Sequence, residues 1–282
     1  MSVYAVILNE TITTNCHSER NEVKSKNPMN SRLTFLGTGT SQGVPMIGCG
    51  CDVCRSADHR DKRLRASVYV EYEGLKILVD AGPDFRQQML REGISHVDAI
   101  LLTHNHKDHT GGLDDIRAFN YIEKEPTHIY CEKYVEDSLR MEYSYAFAEN
   151  KYPGAPEWDV HIIDDKPFSI KGVEIVPIRG KHFRLPVLGY RFGKIAYCTD
   201  MNHIPEEEFS KLEGLDHFII NCVRRGRHIS HFSLEGALSV AERVGAKHTW
   251  LTHLSHQLPR HSELTEELPE NVMPAYDGLT IE

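Results

Sequence analysis

Apolar positions along this chain change their period often, and each change marks an element. Leu33–Leu36, Val68–Tyr72 and Lys76–Val79 read as strands, the last two joined by a turn at Glu73-Gly74. Phe85–Gly93 and Gly112–Tyr121 carry the spacing of short helices, with the apolar run Ala99–Thr103 between them as a buried strand. Tyr134–Glu149 is expected to be helical and rich in aromatic residues, and Lys151-Tyr-Pro-Gly-Ala-Pro156 breaks it. Strands follow at Val160–Ile163, Val173–Ile178, Gly189–Phe192, Lys194–Thr199, His217–Asn221 and Thr249–Thr252. Two helices interrupt them. Pro205–Leu212 has proline at its start and acidic residues in its first turn, and Leu234–Val244 is capped by Ser233. Residues 1–28 show no sustained period and are read as a disordered extension ahead of Met29, a short ordered arm being the alternative. No repeat or long linker divides the rest, so 29–282 is expected to be one domain of mixed strands and helices.

Composition narrows the class. With 282 residues, 40% hydrophobic and 26% charged, the chain can bury a sizeable core. No apolar run is long enough to span a membrane. The start of the chain, with Glu10, Glu19, Arg20, Glu22, Lys24 and Lys26, lacks the pattern of a signal peptide. A net charge of −9 argues against a general nucleic-acid binder held by phosphate contacts. Seven cysteines, an odd number in a chain too long to depend on disulfides, point to a reducing cytoplasm. The unusual feature is 17 histidines, because histidine is the commonest metal ligand.

The strongest chemical signal is Thr103-His104-Asn105-His106-Lys107-Asp108-His109, placed after an apolar strand and before Gly111-Gly112. Four donors packed this tightly cannot share one face of a regular element. On a strand-end loop, His104 and His106 can converge on one ion while Asp108 and His109 turn to a second. Further donors come at later strand ends: His182 after the loop Arg179-Gly180-Lys181, Asp200 after Lys194–Thr199, and His253 after Thr249–Thr252. A carboxylate at Asp200 has two oxygens and can bridge two ions. A second constellation is Cys49-Gly50-Cys51-Asp52-Val53-Cys54, three thiols too close for ordinary disulfides yet suited to one zinc. His256, three residues beyond His253, offers the fourth ligand. Cys16, Cys131, Cys198 and Cys222 are scattered and read as ordinary reduced thiols.

The histidine string followed by His, Asp and His at strand ends resembles the metallo-β-lactamase superfamily over about residues 31–282. The resemblance implies an α/β fold, a four-layer αββα sandwich in a single domain. It assigns His104, His106 and His182 to one metal, Asp108, His109 and His253 to the other, and Asp200 to both. The cysteine motif, His256 and the opening Gly37-Thr38-Gly39-Thr40-Ser41-Gln42-Gly43-Val44-Pro45 are similar to the phosphoribosyl 1,2-cyclic phosphate phosphodiesterase (PhnP-like) group within it. His231 matches that family's catalytic histidine, with His228 as its rival.

The function expected is therefore hydrolysis of a small cyclic phosphodiester, such as a phosphoribosyl 1,2-cyclic phosphate, by a dinuclear zinc or manganese enzyme with one structural zinc. In that reading Asp108 orients the attacking hydroxide and His231 protonates the departing sugar oxygen. Arg224, Arg225 and Arg227 lie on the loop before His231 and could anchor a second phosphate, one or two of them facing the pocket; the competing reading is a solvated basic loop. Two other functions stay open. A tRNA 3′-processing endonuclease shares the metal motif, but the segment 150–157 is too short and too weakly basic for a tRNA-binding arm. A non-enzymatic zinc scaffold is the third. The partners expected are a small phosphodiester, no membrane and no nucleic acid, with a homodimer left open.

Overall fold

Successive strands meander, pair in parallel and then return, which builds two sheets face to face. The computed structural model describes residues 31–282, so the expectation for residues 1–28 lies outside the described residues. In the first sheet β1 (Arg32–Gly37), β2 (Ser67–Tyr72) and β3 (Leu75–Val79) run antiparallel, and β4 (Ala99–Leu101), β5 (Thr127–Cys131) and β6 (Trp158–Ile162) continue in parallel from β3. In the second, β7 (Phe168–Ile170), β8 (Val173–His182), β9 (Leu185–Phe192) and β10 (Ile195–Cys198) alternate in direction. There β11 (His217–Asn221), β12 (His248–Thr252) and β13 (Val272–Pro274) follow in parallel. The last strand, β14 (Thr280–Ile281), crosses back to pair with Leu33 and Thr34 of β1.

Three apolar layers hold this together. Phe35, Val70, Ile77, Tyr190, Phe192 and Tyr197 fill the space between the sheets. Outside the first sheet, α2 (Phe85–Glu92), α4 (Arg117–Glu123) and α5 (Lys133–Glu142) cover it with Phe85, Met89, Phe119, Val135 and Leu139. Outside the second, α6 (Leu234–Val244) and α7 (His261–Glu267) contribute Leu234, Ala237 and Leu264. Two single turns, α1 (Asp52–Arg55) and α3 (Lys107–Thr110), belong to the candidate sites. The result is the αββα sandwich.

Several elements differ from the sequence reading for local reasons. Arg179-Gly180-Lys181 is no loop: β8 runs on to His182, paired residue by residue with Leu188, Val187 and Pro186. Gly180 is needed there because a Cβ would sit 2.4 Å from the Met201 sulfur. The expected helix Tyr134–Glu149 stops at Glu142, since Tyr143 turns its ring onto Trp158 and donates its hydroxyl to the Thr110 carbonyl at 2.8 Å. Gly112–Tyr121 splits into a 3₁₀ turn, Leu113–Ile116, followed by α4. Glu206–Leu212 is also 3₁₀, with Glu208 drawn inward to the Arg179 N–H and Lys211.

Candidate metal centre

The ends of β3, β4, β8, β10 and β12 gather at one rim of the sandwich. The two sheets are tied there, because the Leu188 N–H of β9 donates to the Thr103 carbonyl at 3.0 Å and the Tyr190 hydroxyl to Leu102 at 2.7 Å. Chains leaving three of these strands turn sharply. Asp80, Asp200 and His253 adopt φ of 63°, 58° and 54°, the left-handed region that non-glycine residues avoid. The histidine string is part loop and part α3, with His106 at the N-cap position. Gly82 lets it close in, since a Cβ there would lie 2.0 Å from the Asp108 carbonyl oxygen.

All seven expected donors stand together. His104, His106 and His182 form one group and Asp108, His109, Asp200 and His253 another, the ligand atoms of each lying within 4.8 Å of one another. Asp200 is shared, since it also groups with His182 and His231. Its Oδ1 is 3.2 Å from His253 Nε2 and its Oδ2 3.2 Å from His109 Nε2. Asp108 Oδ2 lies 3.3 Å from His109 Nε2 and 3.7 Å from His253 Nε2. Donors held about 2.0–2.1 Å from one tetrahedral ion sit about 3.3 Å apart, so the spacing suits a cation at the centre.

Outer hydrogen bonds aim the rings. His109 Nδ1 donates to Asp80 Oδ2 at 2.6 Å, His182 Nδ1 to the Ser230 carbonyl at 2.8 Å, and His104 Nδ1 lies 2.9 Å from Thr103 Oγ1. Each bond leaves the opposite nitrogen as the donor for a metal. The buried Nε2 atoms of His104, His109 and His253 have no hydrogen-bond partner. Orphaned buried nitrogens of this kind cost about 1–3 kcal/mol each. Burial would lower the His109 imidazole, but Asp200, Asp108 and Asp80 outweigh it and raise it well above its ordinary range. A positive charge, proton or metal, is thus required among these carboxylates. Burial would raise Asp200, yet His253 and His109 hold it well below the usual carboxylate range. Burial also keeps His104 and His182 low and therefore neutral, the form that ligates. The residues fit a pair of divalent cations.

His231 stands beside this cluster, its Nδ1 3.7 Å from Asp200 Oδ1 and its ring stacked 4.7 Å from His253. Burial, then repulsion from His253, pushes its imidazole down to about 3. Its inclusion in a donor group with His182 and Asp200 was not foreseen from the sequence. His228 lies one ring further out, 5.0 Å from His231. Asp80, which orients His109, was also missed.

Two clefts adjoin the cluster, the larger reaching His231 but none of the seven donors and the smaller reaching the donor His253. One of about 750 Å³ is lined by Arg224, Arg227, His228, His231 and Phe183, and a smaller one of about 290 Å³ by Ser41, Gln42, Arg224, His231 and His253. Arg225 is the exception among the arginines. It pairs with Glu267 and faces a separate cavity of about 900 Å³ beside α6, which touches none of the metal donors.

The cysteines also converge. Sγ of Cys49 and Cys51 lie 3.3 and 3.5 Å from His256 Nδ1, and Cys54 completes the group. Zinc bonded to sulfur at about 2.3 Å and nitrogen at about 2.0–2.1 Å sets such pairs about 3.5 Å apart. The Cys54 N–H, then His256, hold the Cys51 thiol down to about 6, while burial pushes Cys54 up to about 11. Cys131 and Cys222 are buried free thiols, both pushed up to about 12 by that burial.

Fold and donor set are those of a metal-dependent hydrolase, and comparison with known proteins agrees. Residues 76–254 match the beta-lactamase superfamily domain. The crystal structure of a new diphosphatase from the PhnP family is 41% identical, with a TM-score of 0.83 over 90% of this chain and 98% of that one. The chain belongs to the metallo-β-lactamase superfamily and, within it, to the PhnP family. An octanoyltransferase of Porphyromonas gingivalis is 43% identical over 251 residues, 88% of this chain and 51% of that protein, so the chain spans about half its length. Zinc-bound PqqB from Methylobacterium extorquens shares the fold, with a TM-score of 0.70 at 19% identity over 89% of this chain and 99% of that one.

Proposed function

We propose that this protein hydrolyses a phosphoric diester bond of a small molecule, a cyclic sugar phosphodiester first among them, with metals held by His104, His106, Asp108, His109, His182, Asp200 and His253. The observation that carries the reading is the convergence of partnerless imidazole nitrogens and carboxylate oxygens beside a cleft lined by Arg224, His228 and His231. Two divalent cations bound there would acidify water and neutralise charge on phosphoryl oxygens. The chain's own side chains do the rest. Asp108, less buried than Asp200, accepts a hydrogen bond from the attacking water and orients it. Arg224 lines both clefts and can grip an anionic oxygen away from the reacting bond. His231, neutral beside Asp200 and His253, takes up the proton released by the attacking water and returns it to the departing oxygen. Half-exposed Phe183 and the exposed Ile229 offer an apolar wall for the organic part.

A diphosphate linkage is the second reading, favoured by the likeness to the PhnP-family diphosphatase. The test offers zinc- or manganese-loaded protein a cyclic sugar phosphodiester, a linear diester of diphosphate and a precursor tRNA. Turnover of the cyclic diester is expected, slowed about 10²–10⁴-fold by His231→Ala with metal content unchanged. Arg224→Ala should raise KM while Arg225→Ala leaves it alone. Turnover of the diphosphate alone would select the second reading, and cleavage of the tRNA alone would overturn both.

A further inference from the structure

Away from the rim of metal donors, three side chains converge at the edge of the first sheet, where β6 has no outer neighbour among the described residues. His128 of β5 stands directly opposite Asp159 of β6, and His161 follows two residues along β6. Alternate residues of a strand share a face, and opposed residues of neighbouring strands are in reach of each other, so all three side chains meet on one side of the sheet. Nδ1 of His128 is 3.0 Å from Nε2 of His161 and 3.2 Å from Oδ2 of Asp159, and that oxygen is 3.3 Å from Nε2 of His161.

These distances draw a nearly equilateral triangle, close to one face of a tetrahedron whose donors lie about 2.0–2.1 Å from a central ion. Hydrogen bonding explains it less well, because only the side between the two imidazoles has the geometry of a hydrogen bond. The His161 ring is also fixed in place. Tyr130 stacks on it at 4.4 Å and 18°, and on Phe168 from β7 at 5.4 Å and 21°. Side-chain exposures of 41%, 52% and 36% for His128, Asp159 and His161 leave the fourth corner open to water.

We propose that His128, Asp159 and His161 form a further metal site, separate from the dinuclear cluster and the cysteine group, for a divalent transition metal of the zinc class. Two imidazoles and one carboxylate favour zinc, copper or nickel over magnesium or calcium, which prefer all-oxygen shells. A cation held there would clip the edge strand β6 to β5, guarding the unpaired backbone that such an edge presents.

Protein already loaded with zinc at its other sites, then freed of loosely held metal by gel filtration, is titrated with Zn²⁺ by calorimetry. One further equivalent is expected, absent from Asp159→Asn and from His161→Gln, and not reproduced by Mg²⁺. Saturating Zn²⁺ should raise Tm of the loaded wild type and leave that of both variants unchanged, since a ligand that binds only the folded state stabilises it. The proposal fails if the loaded wild type takes up no further zinc, or if both variants take up the same equivalent.

Discussion

At Asp80 a single carboxylate orients two imidazoles from different donor groups. It accepts the Thr103 N–H at 2.9 Å, the Thr103 hydroxyl at 2.9 Å and His109 Nδ1 at 2.6 Å, while the Thr103 oxygen faces His104 Nδ1. Asp80→Asn keeps the shape but removes the charge that orients and polarises the His109 ring. Removing an outer partner of this kind typically weakens metal retention about 10–100-fold. Dialysis against graded chelator should show that loss, and an unchanged midpoint would mean that Asp80 only supports the fold. The sequence did not reveal Asp80, because Val79-Asp80-Ala81-Gly82-Pro83 reads as an ordinary turn. The histidine string was legible for the opposite reason: so many donors in so few positions have no simpler use. Asp200 and His253 became legible only beside that string, since one acid or one histidine at a strand end says little alone.

Elements follow the same logic of signal length. β11 and α6 lie where their patterns placed them, to the residue, because all five positions of β11 are buried and Leu234, Ala237 and Ala241 of α6 recur at helical spacing behind the Ser233 cap. β13 and β14, of three and two residues, are too short to show a period, and their pairing comes from the sheets they join. β5 was missed although its burial alternates, because its partly exposed positions hold His128 and Tyr130. At this scale the cysteine group matters most, since it fastens α1 and its flanking loop to the segment after β12. Cys51→Ser should lower Tm and remove one zinc, because metal binding to such a group contributes directly to folding free energy. Unchanged zinc stoichiometry in that variant would dismiss the clip. The sequence suggested its four members, but only the fold brings His256 Nδ1 to 3.3 and 3.5 Å from the Cys49 and Cys51 sulfurs.

Across the whole molecule, a buried polar network joins early and late segments of the chain. Arg63 donates to Thr38 Oγ1 at 2.8 Å and the Ala275 carbonyl at 2.6 Å, and Asp61 accepts the His261 N–H at 2.7 Å. Burial, then the Arg63 charge 3.4 Å away, holds the His261 imidazole down to about 4, from an ordinary 6.5. Between those values the unfolded chain binds a proton that the folded chain refuses, so stability falls as pH drops through that window, by up to about 3 kcal/mol. Urea unfolding at pH 7.5 and 4.5 should show wild type losing more than His261→Asn by about that amount, and parallel losses would contradict it. The left-handed turns at Asp80, Asp200 and His253 bear on the molecule differently. Each such backbone conformation costs about 1–3 kcal/mol in a residue other than glycine. Glycine would adopt all three freely, but it would leave nothing at Asp200 and His253 to hold a cation and nothing at Asp80 to aim His109. Laboratory evolution of this scaffold for heat tolerance, with no screen for turnover, would therefore drift toward a sturdier and inert sandwich.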